Sequence, residues 1–165
     1  MKLRKATISD SALLRHWDKQ PHIIAAKGNE DWQWETEMPR NPEWRQQFIA
    51  EVNNHPIGFL QIIDAHEEET HYWGEVPKGF SAIDIWIGDI DYIGKGYGSQ
   101  MMQQAIDRCF ADPAVHAILV DPFANNKLAH KFYEKCGFEF AEQREFDGEK
   151  CFVFKLKREN YKHPG

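Results

Sequence analysis

The stretch IGKGYGSQMM, Ile93 to Met102, sets Gly94, Gly96 and Gly98 at alternate positions directly before an apolar-periodic segment. The chain of 165 residues holds only 11 glycines, so their concentration here has a local cause. Glycine costs roughly 0.5–1 kcal/mol relative to alanine inside regular structure, and a cluster implies a backbone at positive φ or a close visitor. That visitor is either a packed neighbouring segment or a phosphate. Upstream, SAIDIWIGD (Ser81–Asp89) reads as a strand. Downstream, GSQMMQQAIDRCF (Gly98–Phe110) carries Met101, Met102, Ala105, Ile106, Cys109 and Phe110 on one helical face, and Asp112 and Pro113 stop it. A strand, a glycine turn and a helix N-terminus together make an anion cradle, because first-turn N–H groups lack partners and the helix dipole adds about half a positive charge. Lys95 supplies further charge from the side.

Two common phosphate motifs do not fit. The nucleotide loop G-x-x-x-x-G-K-[ST] fails because Lys95 is followed by Gly96, and the dinucleotide G-x-G-x-x-G fails at Ser99.

Outward from the turn, the order is mixed α/β without repeats. KLRKATI (2–8) reads as a strand, and Asp10 to Lys19 reads as a helix through Leu13, Leu14 and Trp17, capped by Thr7 or Ser9. A polar, tryptophan-rich connection follows, in which Asn41 and Pro42 predict the start of a short helix through Gln47. FIAEV and IGFLQIID flank NNHP as a hairpin, and the acidic AHEEETHYWGEVPKG is a loop. After the central helix come the buried strand VHAILVD, a helix NKLAHKFYEKC ended by Gly137, and a hairpin of FEFAEQREF and KCFVFKLK around DGE. A short polar tail closes the chain, and residues 1–165 are expected to form one domain.

Composition narrows the function classes. With 42% hydrophobic and 28% charged residues the chain matches a globular domain with a real core. No run approaches the ~20 apolar residues of a membrane span, so a cytoplasmic protein is expected. Cys109, Cys136 and Cys151 are odd in number and widely spaced, which argues for reduced thiols over a disulfide framework or zinc site. The net charge of −6 disfavours nucleic acid and suits a cationic small molecule, although ordinary solubility explains the same charge. HEEETH (66–71) puts its second histidine one place too late for a zinc motif, and no metal is expected.

A second pattern lies downstream: Asn126, Ala129, Tyr133, Gly137 and Phe138 match N-x-x-A-x-x-x-Y-x-x-x-G-F. Together with Gly96 and Gly98 in the turn, it resembles the GNAT N-acetyltransferase superfamily, and within it the aminoglycoside 6′-N-acetyltransferases. The likeness spans Lys2 to Lys157 and is strongest from Tyr72 to Phe138. One departure stands at Ile93, where the superfamily has Gln or Arg; that side chain supports the loop, while backbone amides carry phosphate contact.

The resemblance implies a central mixed, mostly antiparallel, twisted sheet flanked by helices, and acetyl-CoA as cosubstrate. It places the pantetheine along Trp86, Ile87 and Gly88 and the pyrophosphate on Gly94, Lys95, Gly96, Tyr97, Gly98 and Ser99. Asn126 then caps its helix or contacts the cofactor, and Tyr133 protonates the departing thiolate. Asp84, which interrupts an otherwise apolar strand, takes the role of an acid set against the acceptor amine; a pure fold role is the competing reading. Glu75, Asp121 and Asp147 are further acids for an acceptor subsite that Trp32, Trp34 and Trp73 would wall, with Asp121 favoured because adjacent strand ends face a common cleft. The expected acceptor is a primary amine of a polycationic small molecule, an aminoglycoside first. A siderophore precursor, a polyamine, a protein amine and a silent acyl-CoA-binding module are the alternatives. No nucleic-acid or membrane partner is expected, and the chain is read as a monomer or homodimer.

Overall fold

A computed structural model describes residues 1–162; the last residues of the polar tail, 163–165, lie outside it. The strands are β1 (Lys2–Lys5), β2 (Arg45–Val52), β3 (His55–Asp64), β4 (Phe80–Ile87), β5 (Ala117–Val120), β6 (Glu139–Phe146) and β7 (Glu149–Lys157). They form one seven-stranded sheet in the order β1-β2-β3-β4-β5-β7-β6, antiparallel except for the β4–β5 pair. The helices are α1 (Ser11–Asp18), α2 (Pro21–Lys27), α3 (Trp34–Glu37), α4 (Tyr97–Ala111) and α5 (Lys127–Lys135). The expected mixed, mostly antiparallel architecture is therefore present.

Local chemistry accounts for most boundaries. Thr7 and Asp10 form a capping box, with the Thr7 amide donating to Asp10 Oδ2 at 2.8 Å, and Asp10 also takes a bidentate pair from Arg4. Asn53 and Asn54 both adopt positive φ, so a two-residue turn joins β2 to β3 with the twist a hairpin favours. The helix expected from Asn41 through Gln47 is absent: Arg45 already pairs with Ile63, and Phe48, Ile49 and Ala50 are buried by the sheet. Tertiary pairing overrides the Asn-Pro start signal. Conversely, the end of α2 and all of α3 occupy the connection read as irregular, and the start of α2 fills the segment before it. Pro21 at the first turn of α2 and Gly28 at φ +78 after it mark its ends.

The sheet divides the interior into two faces. Ile83 and, on β3, Leu60 and Ile62 pack with Met101, Met102, Ala105 and Ile106 of α4. On the opposite face Trp86, Phe59 and Ile49 meet Leu14, Trp17 and Trp34, while Ala82 and Leu119 join a separate cluster with Trp73, Phe146 and Val153. Side chains alternate along a strand, so Ala82, Asp84 and Trp86 share that face. Asp84 thus sits on the seam between two apolar clusters.

Candidate active site

The parallel register pairs only Phe80, Ala82 and the residue between them with Ala117–Leu119. Beyond Ala82 the two strands part, and among the described residues the rest of β4 has no strand neighbour on that side. A 3₁₀ turn (Ile90–Tyr92) then leads into the glycine turn. Gly94 and Gly96 have φ of +77° and +86°, and a Cβ built on either meets nothing within 4 Å. The first backbone bond of α4 runs from the Gln100 amide to Gly96 O at 3.2 Å, so the amides of Tyr97, Gly98 and Ser99 are not claimed by the helix. An open, left-handed turn with unclaimed donors fits a pyrophosphate. The Lys95 ammonium lies 5.7 Å from the centre of the Tyr92 ring at this turn.

Two expected cofactor glycines have other reasons to be glycine. A Cβ at Gly98 would stand 3.3 Å from Phe132, so its smallness lets α4 approach α5. At Gly88 a Cβ would fall 2.0 Å from the Trp17 indole, and the Gly88 amide already donates to Ile57 O at 2.8 Å. That amide is spent inside the fold. Asn126 is the N-cap of α5, its side chain accepting from the Ala129 amide at 3.2 Å, which is the capping role of the two expected.

Below the parted strands stand the titratable groups. Asp84 is half-buried on β4 just past the paired stretch, and Gln61 Nε2 donates to its Oδ2 at 2.7 Å. Burial pushes the Asp84 carboxyl above its ordinary range against the pull of that hydrogen bond, and the Glu30 carboxylate adds to the rise. Asp121, just past β5, accepts from the Tyr72 hydroxyl at 2.5 Å. Its own carboxyl is pushed up to about 8, first by burial and then by the charge of Asp84, with Tyr72 opposing. Tyr133, 8% exposed, packs in the cluster that α4 covers; burial and then the charges of Asp84 and Asp121 drive its hydroxyl well above the usual phenol range. Tyr133 therefore stays protonated through neutral pH and is equipped to give a proton, not to take one.

The remaining expectations divide. Trp34 and Trp73, read as walls of an acceptor subsite, are core residues at 1% and 4% exposure. The Trp34 indole N–H donates to Asp18 Oδ2 at 2.7 Å, and Trp73 packs edge-on to Phe146 at 5.2 Å. Their size fills the two clusters. Trp32 is half-buried, 5.2 Å from Trp86, and already carries the Lys27 ammonium 5.6 Å above its ring. Glu75 is exposed on the loop before β4. Asp147, exposed at φ +50° beside Gly148 at +82°, makes the β6–β7 turn. Sequence reading did not single out Gln61, Tyr72 or Glu30. Gln61 had a legible signal, since it interrupts the apolar run IGFLQIID as Asp84 interrupts SAIDIWIGD.

A phosphate-sized cradle beside parted strands, with two acids and a protonated tyrosine coupled by charge, fits the site of a group-transfer enzyme. The acetyltransferase (GNAT) domain family matches residues 7–146. Aminoglycoside N(6′)-acetyltransferase type 1 of Klebsiella pneumoniae is 30% identical over 151 residues, which is 83% of this chain and 73% of that protein. Lysine N-acyltransferase MbtK of Mycobacterium tuberculosis is 23% identical over 169 residues, 94% of this chain and 76% of that one. The crystal structure of aminoglycoside acetyltransferase AAC(6′)-Ib in complex with coenzyme A and kanamycin superposes with a TM-score of 0.86 at 27% identity, covering 96% of this chain and 95% of the other. The chain belongs to the GNAT acetyltransferase family, and its activity is acetyl-CoA-dependent N-acetylation.

Proposed function

We propose that the chain, as one domain over residues 1–165, transfers acetyl from acetyl-CoA to the 6′-amine of an aminoglycoside by direct attack of the amine on the thioester. The observation that carries this reading is the pair of carboxylates, Asp84 and Asp121, set at matching positions where β4 and β5 part and coupled by charge to each other and to the protonated Tyr133. Two like charges in one crevice oppose their own burial, and a cation between them relieves the cost. The names of the relatives support the same acceptor class.

Asp84 does more than hold charge. An alkyl ammonium of pKa near 10.4 lies about 3.4 units from neutrality at pH 7, roughly 4.6 kcal/mol, and a carboxylate beside it stabilises the charged form further. Asp84 orients the amine and receives its proton as the C–N bond forms, helped by the raised basicity that burial gives it. At ordinary values of about 10 and 8.5, proton transfer from Tyr133 to a thiolate is already uphill by roughly 2 kcal/mol, and the raised Tyr133 hydroxyl widens that gap, so the hydroxyl works by position. Gly94 and Gly96 with the first turn of α4 would hold the pyrophosphate, leaving the thioester end over the parted strands.

The test is thiol release from acetyl-CoA with kanamycin, spermidine, hydroxylysine and lysine peptides. Kanamycin is expected to give the highest kcat/KM. A higher value with spermidine or a peptide would move the acceptor class, and no release with any amine would leave only binding.

A further inference from the structure

Gln47, Gln61 and Asp84 form a polar rung across three strands. Gln47 is the register partner of Gln61 in the β2–β3 pair, and Gln61 is the register partner of Asp84 in the β3–β4 pair. Residues opposite one another in a sheet share a face, so the three side chains stand in one row. Gln47 Nε2 donates to Gln61 Oε1 at 3.0 Å, and Gln61 Nε2 donates to Asp84 Oδ2 at 2.7 Å. Gln61 is only 6% exposed, and on its own strand Phe59 and Ile63 flank it. A buried amide among apolar neighbours is retained when each end has a partner.

The rung has a direction. An ionised carboxylate only accepts, so Gln61 must turn its NH₂ group toward Asp84. That leaves Oε1 needing a donor, and Gln47 presents one. With Gln47 removed, the Gln61 amide is free to rotate by 180° and offer Oε1 to the acid, an arrangement that tolerates only the protonated form.

We infer that Gln61, held in one orientation by Gln47, is a positioning residue that keeps Asp84 Oδ2 ionised and reserves Oδ1 for the acceptor amine and its proton. The inference rests on Asp84 being the proton acceptor proposed above. The groups whose charge is coupled to Asp84 are acidic or phenolic, Glu30 after α2, Tyr72 in the loop before β4, Asp121 after β5 and Tyr133 on α5; the cations nearby are Arg144, which acts on Asp121, and Lys27, over the ring of Trp86. Each carboxylate among them disfavours a second negative charge. The amide of Gln61 is the hydrogen-bond donor to the Asp84 carboxylate among the described residues, and Gln47 sets which way it points.

The test uses Gln61→Met, Gln47→Met and the double variant, with two readouts. In the cofactor-free protein carrying Asp121→Asn, so that a single deep acid titrates, infrared spectroscopy follows the Asp84 carboxyl, identified by its loss in Asp84→Asn. Its titration is expected to move to higher pH in Gln61→Met and, by a smaller step, in Gln47→Met. The double variant should match Gln61→Met, because Gln47 acts only through Gln61. In the enzyme, the acid limb of kcat/KM should move the same way. Activity should fall about ten-fold at pH 7 and recover at alkaline pH, where Asp84 ionises regardless. A carboxyl titration unmoved by Gln61→Met overturns the inference, as does a loss of activity that no alkaline pH restores. If Asp84→Asn itself leaves turnover intact, the underlying role of Asp84 fails instead, and the infrared titration still decides whether the rung sets its ionisation.

Discussion

The Tyr72 hydroxyl donates to Asp121 Oδ2 at 2.5 Å, tying the loop before β4 to the end of β5 across the point where the sheet opens. The same ring stacks on Phe146 at 4.5 Å with planes 10° apart, so the loop is fixed from both sides. Asp121 is thereby held beside Asp84 without a cation of its own in hydrogen-bond contact among the described residues. Strand parting, loop and acid pair are one construction.

The acid pair makes stability depend on pH. Asp121 has a folded-state pKa of about 8, raised from an ordinary 3.8. The folded protein then binds more protons than the unfolded chain between those values. The Asp121 contribution to stability therefore falls as pH rises across that interval and is lowest above it. Asp121→Asn is expected to melt about 4 °C higher than the parent at pH 8.5, on the order of 1 kcal/mol, with the difference shrinking toward pH 4. Thermal melts at the two pH values check this; an equal or growing gap at pH 4 contradicts it.

Gly96 and Gly98 should fail in different ways. A side chain at Gly96 meets open space but a φ of +86°, so Gly96→Val folds with some strain and blocks the phosphate's approach. Calorimetry should find coenzyme A affinity lost. Gly98→Val instead drives against Phe132 and should lower Tm before anything else. Unchanged coenzyme A affinity in a folded Gly96→Val protein would remove the phosphate assignment.

Tyr133→Phe keeps the ring contacts with Phe132, Phe138 and Phe154 and deletes the hydroxyl. We expect kcat to fall about ten- to several-hundred-fold with little change in cofactor affinity, as for loss of a positioned acid. An undiminished kcat assigns Tyr133 to packing and the proton to solvent.

Attraction between an acidic crevice and a polycation weakens with salt. KM for kanamycin should therefore climb as ionic strength rises from about 0.05 to 0.5 M, while the affinity of a neutral cofactor analogue such as pantetheine stays flat. A KM that ignores salt contradicts the acidic acceptor site.

The sequence exposed the cofactor side of the site better than the acceptor side. The open turn at Gly94 and Gly96 and the cap at Asn126 depend on short-range backbone chemistry, which spacing records directly, while Tyr133 is reached through the resemblance to the acetyltransferase motif. Acceptor-side features depend on what lies across the sheet. Trp34 and Trp73 look like binding aromatics in a polar stretch, and only the packing reveals that they fill the core. Gln61 and Tyr72 gain meaning from Asp84 and Asp121, residues distant in sequence and adjacent in register or fold. Gln47 was hidden further, because an Asn-Pro start signal placed it in a helix when pairing with β3 makes it a strand residue. Gly88 and Gly98 show the converse, glycines whose smallness is demanded by Trp17 and Phe132.

The central claim is that Asp84 receives the proton of a 6′-amine held in the acidic crevice. The direct measurement is turnover of kanamycin by the parent and by Asp84→Asn, with the acetylated position located by NMR and coenzyme A affinity measured alongside. Expected are a product acetylated only at the 6′-nitrogen, a kcat lowered about 10²- to 10⁴-fold in Asp84→Asn, a smaller loss in Asp121→Asn, and unchanged coenzyme A affinity. Near-parental turnover by Asp84→Asn, or acetylation at another nitrogen, would contradict the claim.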